Sequence, residues 1–177
     1  MSDSPRFAAD AMLGRLARWL RALGYDTSYD ESLADPVLVQ QANAQQRVLL
    51  TRDRHLLRDL RPERALEIRH DDPLQQLHAV VTTLALAAPT DLFTRCLLCN
   101  APLQELDPEQ AQALLPAGML GVPGPVRRCP QCGRSYWEGS HVRRMRAALE
   151  RVLPAWVSNV ESGTITQTKG RTPGLPG

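Results

Sequence analysis

The stretch RVLLTRDRHLL, residues 47–57, joins a short apolar run to an abrupt polar end. Its first five residues have the composition of a buried strand, so RVLLT is predicted as a β-strand over residues 47–51. Asp53 follows this strand within two residues. An Asp in that place is typical of a site at a sheet edge, and it is also typical of a turn into the next helix.

The sequence on both sides of this strand alternates β-like runs with amphipathic helices. Helical spacing links Leu13, Leu16, Ala17, Leu20 and Leu23, with Arg15, Arg18 and Arg21 on another face and Gly24 as the stop. Further elements are a helix at 36–44 with Asp35 as its N-cap, a strand at 65–69 and a helix opened by Asp72-Pro73. This order over residues 5–90 predicts an α/β domain with a parallel sheet and helices on both faces.

Three acids occupy comparable positions in the predicted sheet. Asp10 ends the first strand, Asp35 begins a helix and Asp53 follows the RVLLT strand. Carboxylates that converge on one sheet edge repel each other unless a cation neutralises them, and oxygen ligands suit Mg²⁺ or Mn²⁺. Each acid also has a structural interpretation as a cap or turn residue, and spacing alone leaves both open. Thr51 can hydrogen-bond a carboxylate, but we favour its interpretation as an ordinary strand residue.

All four cysteines occur in two C-x-x-C pairs, TRCLLCN and RRCPQCG. The candidate metal ligands are Cys96, Cys99, Cys129 and Cys132, with 29 residues between the pairs. Two such knuckles can present four thiolates tetrahedrally to Zn²⁺, and a closed four-cysteine site is structural rather than catalytic. A dithiol redox pair or four free thiols is the alternative, which two matched pairs disfavour. QELDPEQAQALL between the pairs is predicted to form a short helical insertion.

Three long segments resemble the Mut-seven carboxy-terminal ribonuclease family, whose members are PIN-like nucleases. The segments are RFAADAMLGRLARWLRALGYDTSY, ADPVLVQQANAQQRVLLTRDRHLL and SYWEGSHVRRMRAALERVL, within a similarity that covers about residues 5–150. The resemblance implies a PIN-like α/β fold with a zinc ribbon. It also implies a ribonuclease that binds Mg²⁺ or Mn²⁺ through acids, which here match Asp10, Asp35 and Asp53.

A fourth acid is less clear from this resemblance. Many PIN relatives have a further Asp two residues after the position of Asp53, where this chain has His55. The candidates for the missing ligand are Asp30, Glu31, Asp59, Asp71 and Asp72.

Basic side chains concentrate around the cysteines. Residues 1–93 carry 11 Lys and Arg against 13 Asp and Glu, whereas residues 94–153 carry 8 against 5. The candidate RNA-binding residues, for phosphate contacts and base stacking, are Arg127, Arg128, Arg134, Tyr136, Trp137, Arg143 and Arg144. For any one of them a packing or solvated role is preferred, while the cluster as a whole favours RNA contact.

Composition divides the chain into three parts. We predict a nuclease domain at 5–90, a zinc ribbon with a C-terminal helix at 94–153, and a disordered tail at 158–177. The sequence has neither an apolar run of about 18 residues nor a signal-peptide pattern, so a cytoplasmic protein without a membrane span is expected. The predicted function is a metal-dependent ribonuclease. The alternative is a non-catalytic RNA-binding or ribosome-associated adaptor with a degenerate site.

Overall fold

The computed structural model describes residues 4–115 and 124–156. Its first half contains β1 (Phe7–Ala9), α1 (Gly14–Ala22), β2 (Thr27–Tyr29), α2 (Asp35–Ala44), β3 (Val48–Thr51), α3 (Arg54–Leu60), β4 (Ala65–Glu67) and α4 (Pro73–Thr83). The second half contains β5 (Gln104–Glu105), α5 (Pro108–Leu114), β6 (Arg127–Arg128), β7 (Ser135–Tyr136) and α6 (Ser140–Val152). A single 3₁₀ turn, Ala11–Leu13, leads from β1 into α1.

The first four strands form one parallel sheet in the order β2-β1-β3-β4. This arrangement confirms the predicted parallel α/β fold. The chain leaves β1 toward β2 on one side and later returns to place β3 on the other side of β1. The carboxyl ends of β1 and β3 therefore flank a topological switch point, where open α/β sheets bind their ligands.

Alternation along the strands supplies an apolar surface to both faces of the sheet. Leu50 in β3 belongs to a core that contains Leu16 and Leu20 of α1, Leu77 of α4 and Leu149 of α6. On the opposite face, apolar residues of β1 and β3 pack against α2 and α3 in a smaller cluster. Helices thus cover both faces, as the parallel pattern requires.

Helix boundaries follow local capping chemistry. Gly24 adopts φ +87° directly after Leu23, the C-cap of α1, which confirms it as the stop, and Asp72 accepts hydrogen bonds from the first turn of α4. The predicted role of Asp35 as N-cap of α2 is wrong, because Ala34 is the N-cap and its carbonyl accepts from Leu38 N at 3.0 Å. Asp35 is therefore the first helical residue, and its side chain makes no cap hydrogen bond.

The cysteine region forms a small antiparallel sheet in the order β5-β6-β7. The helical insertion predicted between the cysteine pairs is present as α5. Leu97 in the first knuckle and Val142 in α6 belong to the same core as α1. The domain division at 5–90 and 94–153 stays a prediction, and the predicted disordered tail at 158–177 lies outside the described residues. In the described part of the chain, every helix is too short or too polar to cross a membrane.

One buried arginine connects the α/β sheet to the first cysteine knuckle. Arg21, of which 3% is exposed, donates from Nε to Thr27 O at 2.9 Å. A second guanidinium nitrogen donates to Leu97 O at 3.0 Å and Leu98 O at 2.7 Å. The sequence groups Arg21 with Arg15 and Arg18 on one helix face, but α1 exposes those two and buries Arg21. The knuckle is thus attached to α1 through its own backbone carbonyls.

A second connection runs from the knuckle to the sheet through Asn100. This residue adopts the left-handed conformation with φ 68° directly after Cys99, a conformation that Asn tolerates well. Its amide nitrogen donates to Asp26 Oδ1 at 2.7 Å, and its amide oxygen accepts from Thr27 N at 3.0 Å. Burial acts to raise the pKa of Asp26, but hydrogen bonds from Arg47 and Asn100 outweigh it and lower that pKa.

We expect Arg21→Ala to lower the free energy of unfolding by about 3 kcal/mol or more, because three backbone carbonyls, two of them in buried hydrogen bonds, lose a charged donor. Urea unfolding of the zinc-loaded full chain measures this loss. Arg144→Ala, which removes an exposed Arg from α6, is the control and should change stability little. A similar loss in the two variants would contradict the structural role of Arg21.

Candidate active site and metal centre

Asp10 is a buried carboxylate held at the end of β1. It is 5% exposed and accepts hydrogen bonds from three donors. Oδ1 accepts from Met12 N at 2.9 Å, while Oδ2 accepts from Thr51 Oγ1 at 2.5 Å and Arg52 N at 3.0 Å. An ionised carboxylate has about four acceptor positions, so one position on Oδ1 is left for a further partner.

Thr51 connects Asp10 to Asp53. Its buried hydroxyl donates to Asp10 and accepts from Asp53 N at 2.9 Å. The interpretation of Thr51 as a mere strand residue is therefore wrong, because its hydroxyl satisfies groups on two neighbouring segments. A β-branched residue fixes χ1 and so holds the hydroxyl in one direction between them.

Asp53 both caps α3 and keeps an oxygen available. Oδ1 accepts from His55 N at 2.7 Å and Leu56 N at 3.2 Å, which is ordinary N-cap geometry. Within the described residues, Oδ2 accepts no hydrogen bond, and the side chain is half-buried. The structural and functional interpretations of Asp53 are thus compatible, since each uses a different oxygen.

Asp35 lies at the same end of the sheet but is exposed at the start of α2. Across residues 4–115 and 124–156, the four cysteines are the one group of three or more possible ligands whose atoms all lie within 4.8 Å of one another. The structure therefore joins Asp10 and Asp53 through Thr51, but it does not bring Asp35 into a comparably tight cluster. Binding of one cation by all three acids therefore requires these carboxylates to approach one another.

The five candidates for a fourth acid differ in their surroundings. Asp59 pairs with Arg58 on α3, and Asp72 is occupied as the N-cap of α4. Asp30, Glu31 and Asp71 instead line a cleft of about 710 Å³ at the carboxyl edge of the sheet. Arg15, Arg18 and Arg52 line the same cleft, and Arg52 forms an ion pair with Asp71. The sequence places Arg15 and Arg18 on one face of a helix, but their position beside these acids depends on how α1 packs in the fold.

The four cysteines have the geometry of a tetrahedral metal site. The Sγ atoms of Cys96 and Cys132 are 3.6 Å apart, and those of Cys99 and Cys129 are 3.3 Å apart. A tetrahedron with Zn–S bonds of about 2.3 Å has sulfur atoms about 3.8 Å apart, so the four thiols fit zinc with little adjustment. None of the four forms a disulfide, and Cys96 and Cys129 are buried.

The protein environment favours a thiolate at one of these ligands. Burial acts to raise the pKa of Cys96, but hydrogen bonds from the N–H groups of Cys99 and Leu98 and from the Tyr136 hydroxyl lower it to about 6. Burial and the neighbouring thiols raise the pKa of Cys99 to about 12. Four adjacent thiols cannot all ionise without a cation to offset their charge. This donor set therefore fits a divalent metal better than it fits free thiols.

The predicted RNA-binding residues fall into two groups. Tyr136 accepts from Leu97 N and contacts Cys96 Sγ, each at 3.2 Å, and Arg127 donates to the carbonyls of Leu92 and Phe93. The exposed members are Arg128, Arg134, Arg143 and Arg144. Trp137 is half-buried, and its Nε1 is enclosed without an acceptor from the described residues. Tyr136 and Arg127 thus already have intramolecular partners.

The fold and site define an α/β protein with acidic residues at a sheet switch point and a four-cysteine metal-binding module. A family model described as the Mut7-C RNAse domain matches residues 5–149. The chain belongs to this family, and the predicted resemblance is confirmed. Neither the curated proteins nor the solved structures compared with the chain gave a match.

We expect Thr51→Val to lower the free energy of unfolding by about 1–3 kcal/mol, because Asp10 and the Asp53 N–H each lose a buried partner. Val keeps the shape of Thr, so the change isolates the hydroxyl. Urea unfolding measures the effect, and Thr51→Ser serves as the control that retains the hydroxyl. If Val were tolerated as well as Ser, the connecting role of the hydroxyl would be refuted.

Replacement of one cysteine should remove the structural metal. Cys129→Ser is expected to reduce bound zinc from about one ion per chain to a small fraction, because Ser is a poor ligand for zinc at neutral pH. Elemental analysis of the purified protein measures the stoichiometry. Gln131→Ser changes an exposed residue of the same knuckle and should retain zinc. Full zinc content in the Cys129 variant would exclude a four-cysteine site.

Proposed function

We propose that this protein is a metal-dependent ribonuclease that hydrolyses RNA phosphodiester bonds at the carboxyl edge of its parallel sheet. The observation that carries this proposal is the Thr51 hydroxyl, which links Asp10 and Asp53 at the switch point between β1 and β3. Membership of a family of RNase domains supports RNA as the substrate. We further propose that the protein acts in the cytoplasm.

The acids supply oxygen ligands of the kind that Mg²⁺ and Mn²⁺ prefer. Asp10 would contribute its remaining Oδ1 position, Asp53 its Oδ2, and Asp35 either oxygen, once the three carboxylates approach one another. A divalent cation held by these residues would supply water activation and would offset the negative charge that develops on the phosphate. The fit rests on the oxygens that the described residues leave without hydrogen bonds.

The chain's own residues fix the orientation of this site. Thr51 Oγ1 and Arg52 N hold Asp10 Oδ2, so the carboxylate cannot rotate freely. The first turn of α3 holds Asp53 Oδ1 in the same manner. Hydrogen bonds of this kind, made to the ligand by groups that do not touch the metal, orient the ligand before the metal binds. Their loss commonly reduces metal affinity or activity by about 10–100-fold. Arg52 lies in the adjoining cleft, where its charge can attract a phosphate.

The zinc ribbon is proposed to assist RNA binding. The zinc itself has a structural role, because four thiolates fill its coordination positions and leave none for a substrate. The exposed arginines Arg128, Arg134, Arg143 and Arg144 supply positive charge on this module. Catalysis and structural support would therefore depend on two different metals.

Two observations support the alternative function, a non-catalytic RNA-binding or ribosome-associated adaptor. In the described part of the chain, no three carboxylates approach one another within 4.8 Å. His55, which stands where many relatives have an Asp, is exposed and contacts Arg58 through Nδ1 at 3.0 Å. An adaptor would bind RNA, and any cleavage seen with it would not depend on Asp10 or Asp53.

We expect Asp53→Asn to reduce RNA cleavage by at least about 100-fold, because the amide retains the cap of α3 but lacks the anionic ligand oxygen. A fluorescence-quenched single-stranded RNA with Mg²⁺ or Mn²⁺ measures the rate. Asp107→Asn is the matched control, since Asp107 caps α5 in the same way but lies in the ribbon. Circular dichroism and zinc content verify that both variants fold.

Removal and replacement of metals separate the two proposed metal roles. After chelation, protein reconstituted with zinc alone should be inactive, and addition of Mg²⁺ or Mn²⁺ should restore cleavage. Cleavage that survives Asp53→Asn, or that zinc alone restores, would refute the proposed site. RNA binding without cleavage by the fully reconstituted protein would favour the adaptor.

A further inference from the structure

A second groove of about 790 Å³ lies between α1, the first cysteine knuckle and α6. Its basic and apolar lining residues include Arg15, Arg18, Trp19, Leu98, Arg134 and Trp137. Leu98 is 41% exposed, and Trp19 and Trp137 are half-buried. This groove is distinct from the cleft beside Asp10, although α1 contributes to both.

The chemistry of this groove suits a nucleic-acid strand with unpaired bases. Among the described residues that line it, three are arginines and none is Asp or Glu, so its charge complements a polyanion. The two Trp rings and Leu98 offer apolar contact to a base face. Proteins use arginines beside aromatic side chains to hold single strands: the arginines contact the phosphates, and the bases stack on the aromatic rings.

Trp137 is held differently from its neighbour Tyr136. The Tyr136 hydroxyl is fixed by Cys96 and Leu97, whereas Trp137 Nε1 is enclosed and has no acceptor in the described part of the chain. A Cβ at Gly139 would lie 2.9 Å from Trp137 Nε1, so this glycine makes room for the indole. Packing alone therefore holds the ring, and it can repack against a base without breaking a hydrogen bond.

Arg15 and Arg18 also line the cleft at the carboxyl edge of the sheet. They lie three residues apart on α1, so they occupy one face of the helix and are exposed there. A single surface therefore runs from the acidic edge, over these two arginines, to the aromatic groove beside the zinc knuckle. A nucleic-acid strand bound at the acids has a continuous basic path into the groove.

We propose that this groove is a subsite for single-stranded RNA that holds the nucleotides next to the scissile bond. Arg15 and Arg18 bind the phosphates that leave the acidic edge, and Trp19 and Trp137 contact the adjoining bases. This proposal rests on the proposed ribonuclease function and specifies its substrate as RNA with several unpaired nucleotides. Duplex RNA cannot present its base faces to the groove, because they are stacked within the helix.

Fluorescence anisotropy with a labelled, unstructured 12-nucleotide RNA tests the subsite in the zinc-loaded full chain. The Asp53→Asn background and a buffer without Mg²⁺ or Mn²⁺ prevent cleavage. Arg15→Ala with Arg18→Ala should raise Kd at least about tenfold and make its salt dependence shallower by about 1.4 in the log–log slope, as loss of two phosphate contacts predicts. Arg64→Ala with Arg151→Ala removes the same charge from exposed positions outside both the cleft and the groove and should change Kd less than about threefold.

Two further measurements test the aromatic part of the subsite. A blunt duplex of the same sequence should bind at least about tenfold more weakly than the single strand. RNA with 2-aminopurine should change its fluorescence on binding, and Trp19→Leu should reduce this change. Equal losses of RNA affinity from the two pairs of arginine substitutions, or equal affinity for the duplex and the single strand, would overturn the proposal.

The outcomes for the subsite and for the proposed function are separable. If cleavage survives Asp53→Asn while the arginine pair still controls binding, the proposed acidic site fails and the subsite stands. If Asp53→Asn abolishes cleavage while Arg15→Ala with Arg18→Ala leaves single-strand affinity unchanged, the subsite fails and the ribonuclease stands.

Discussion

The attachment of the cysteine knuckle to α1 through Arg21 is the constraint on which the rest of the molecule depends. A buried guanidinium needs acceptors for its N–H groups, and the carbonyls of Leu97 and Leu98 provide them only when the knuckle has its folded shape. Burial lowers the pKa of Arg21, while coulombic interactions with the nearby Cys96 and Cys99 act in the opposite direction. The fold of the cysteine knuckle and the packing of α1 beside the α/β sheet are therefore coupled.

The same attachment places the knuckle beside the helix whose arginines line both the cleft and the groove. Arg21 and Asn100 fix the knuckle against α1 and β2, and α1 carries Arg15 and Arg18 on its exposed face. The position of the ribbon relative to the sheet is set by buried hydrogen bonds rather than by a flexible connection. An RNA strand that contacts both modules would therefore meet two surfaces whose separation is fixed before the RNA binds.

The features that the sequence predicts are those that local chemistry determines. Apolar periodicity predicts the order of strands and helices, Gly24 and Asp72 indicate helix ends, and the paired cysteines predict the thiol cluster. The roles of Thr51 and Arg21 depend on partners 41 and 76 residues away, which periodicity does not reveal. The N-cap of α2 was misplaced by one residue because Ala34 lacks a side chain that would signal it.

The insertion between the two cysteine pairs stands apart from these constraints. α5 buries none of its residues and is stabilised by its own capping box, in which Asp107 and Gln110 satisfy each other's backbone N–H groups. Loop-closure entropy rises by only about 0.6 kcal/mol for each doubling of a connection's length. The chain can therefore accept added residues at α5 at little cost, which makes this helix a suitable place for a fluorophore or an affinity tag that leaves the thiol cluster and the sheet undisturbed.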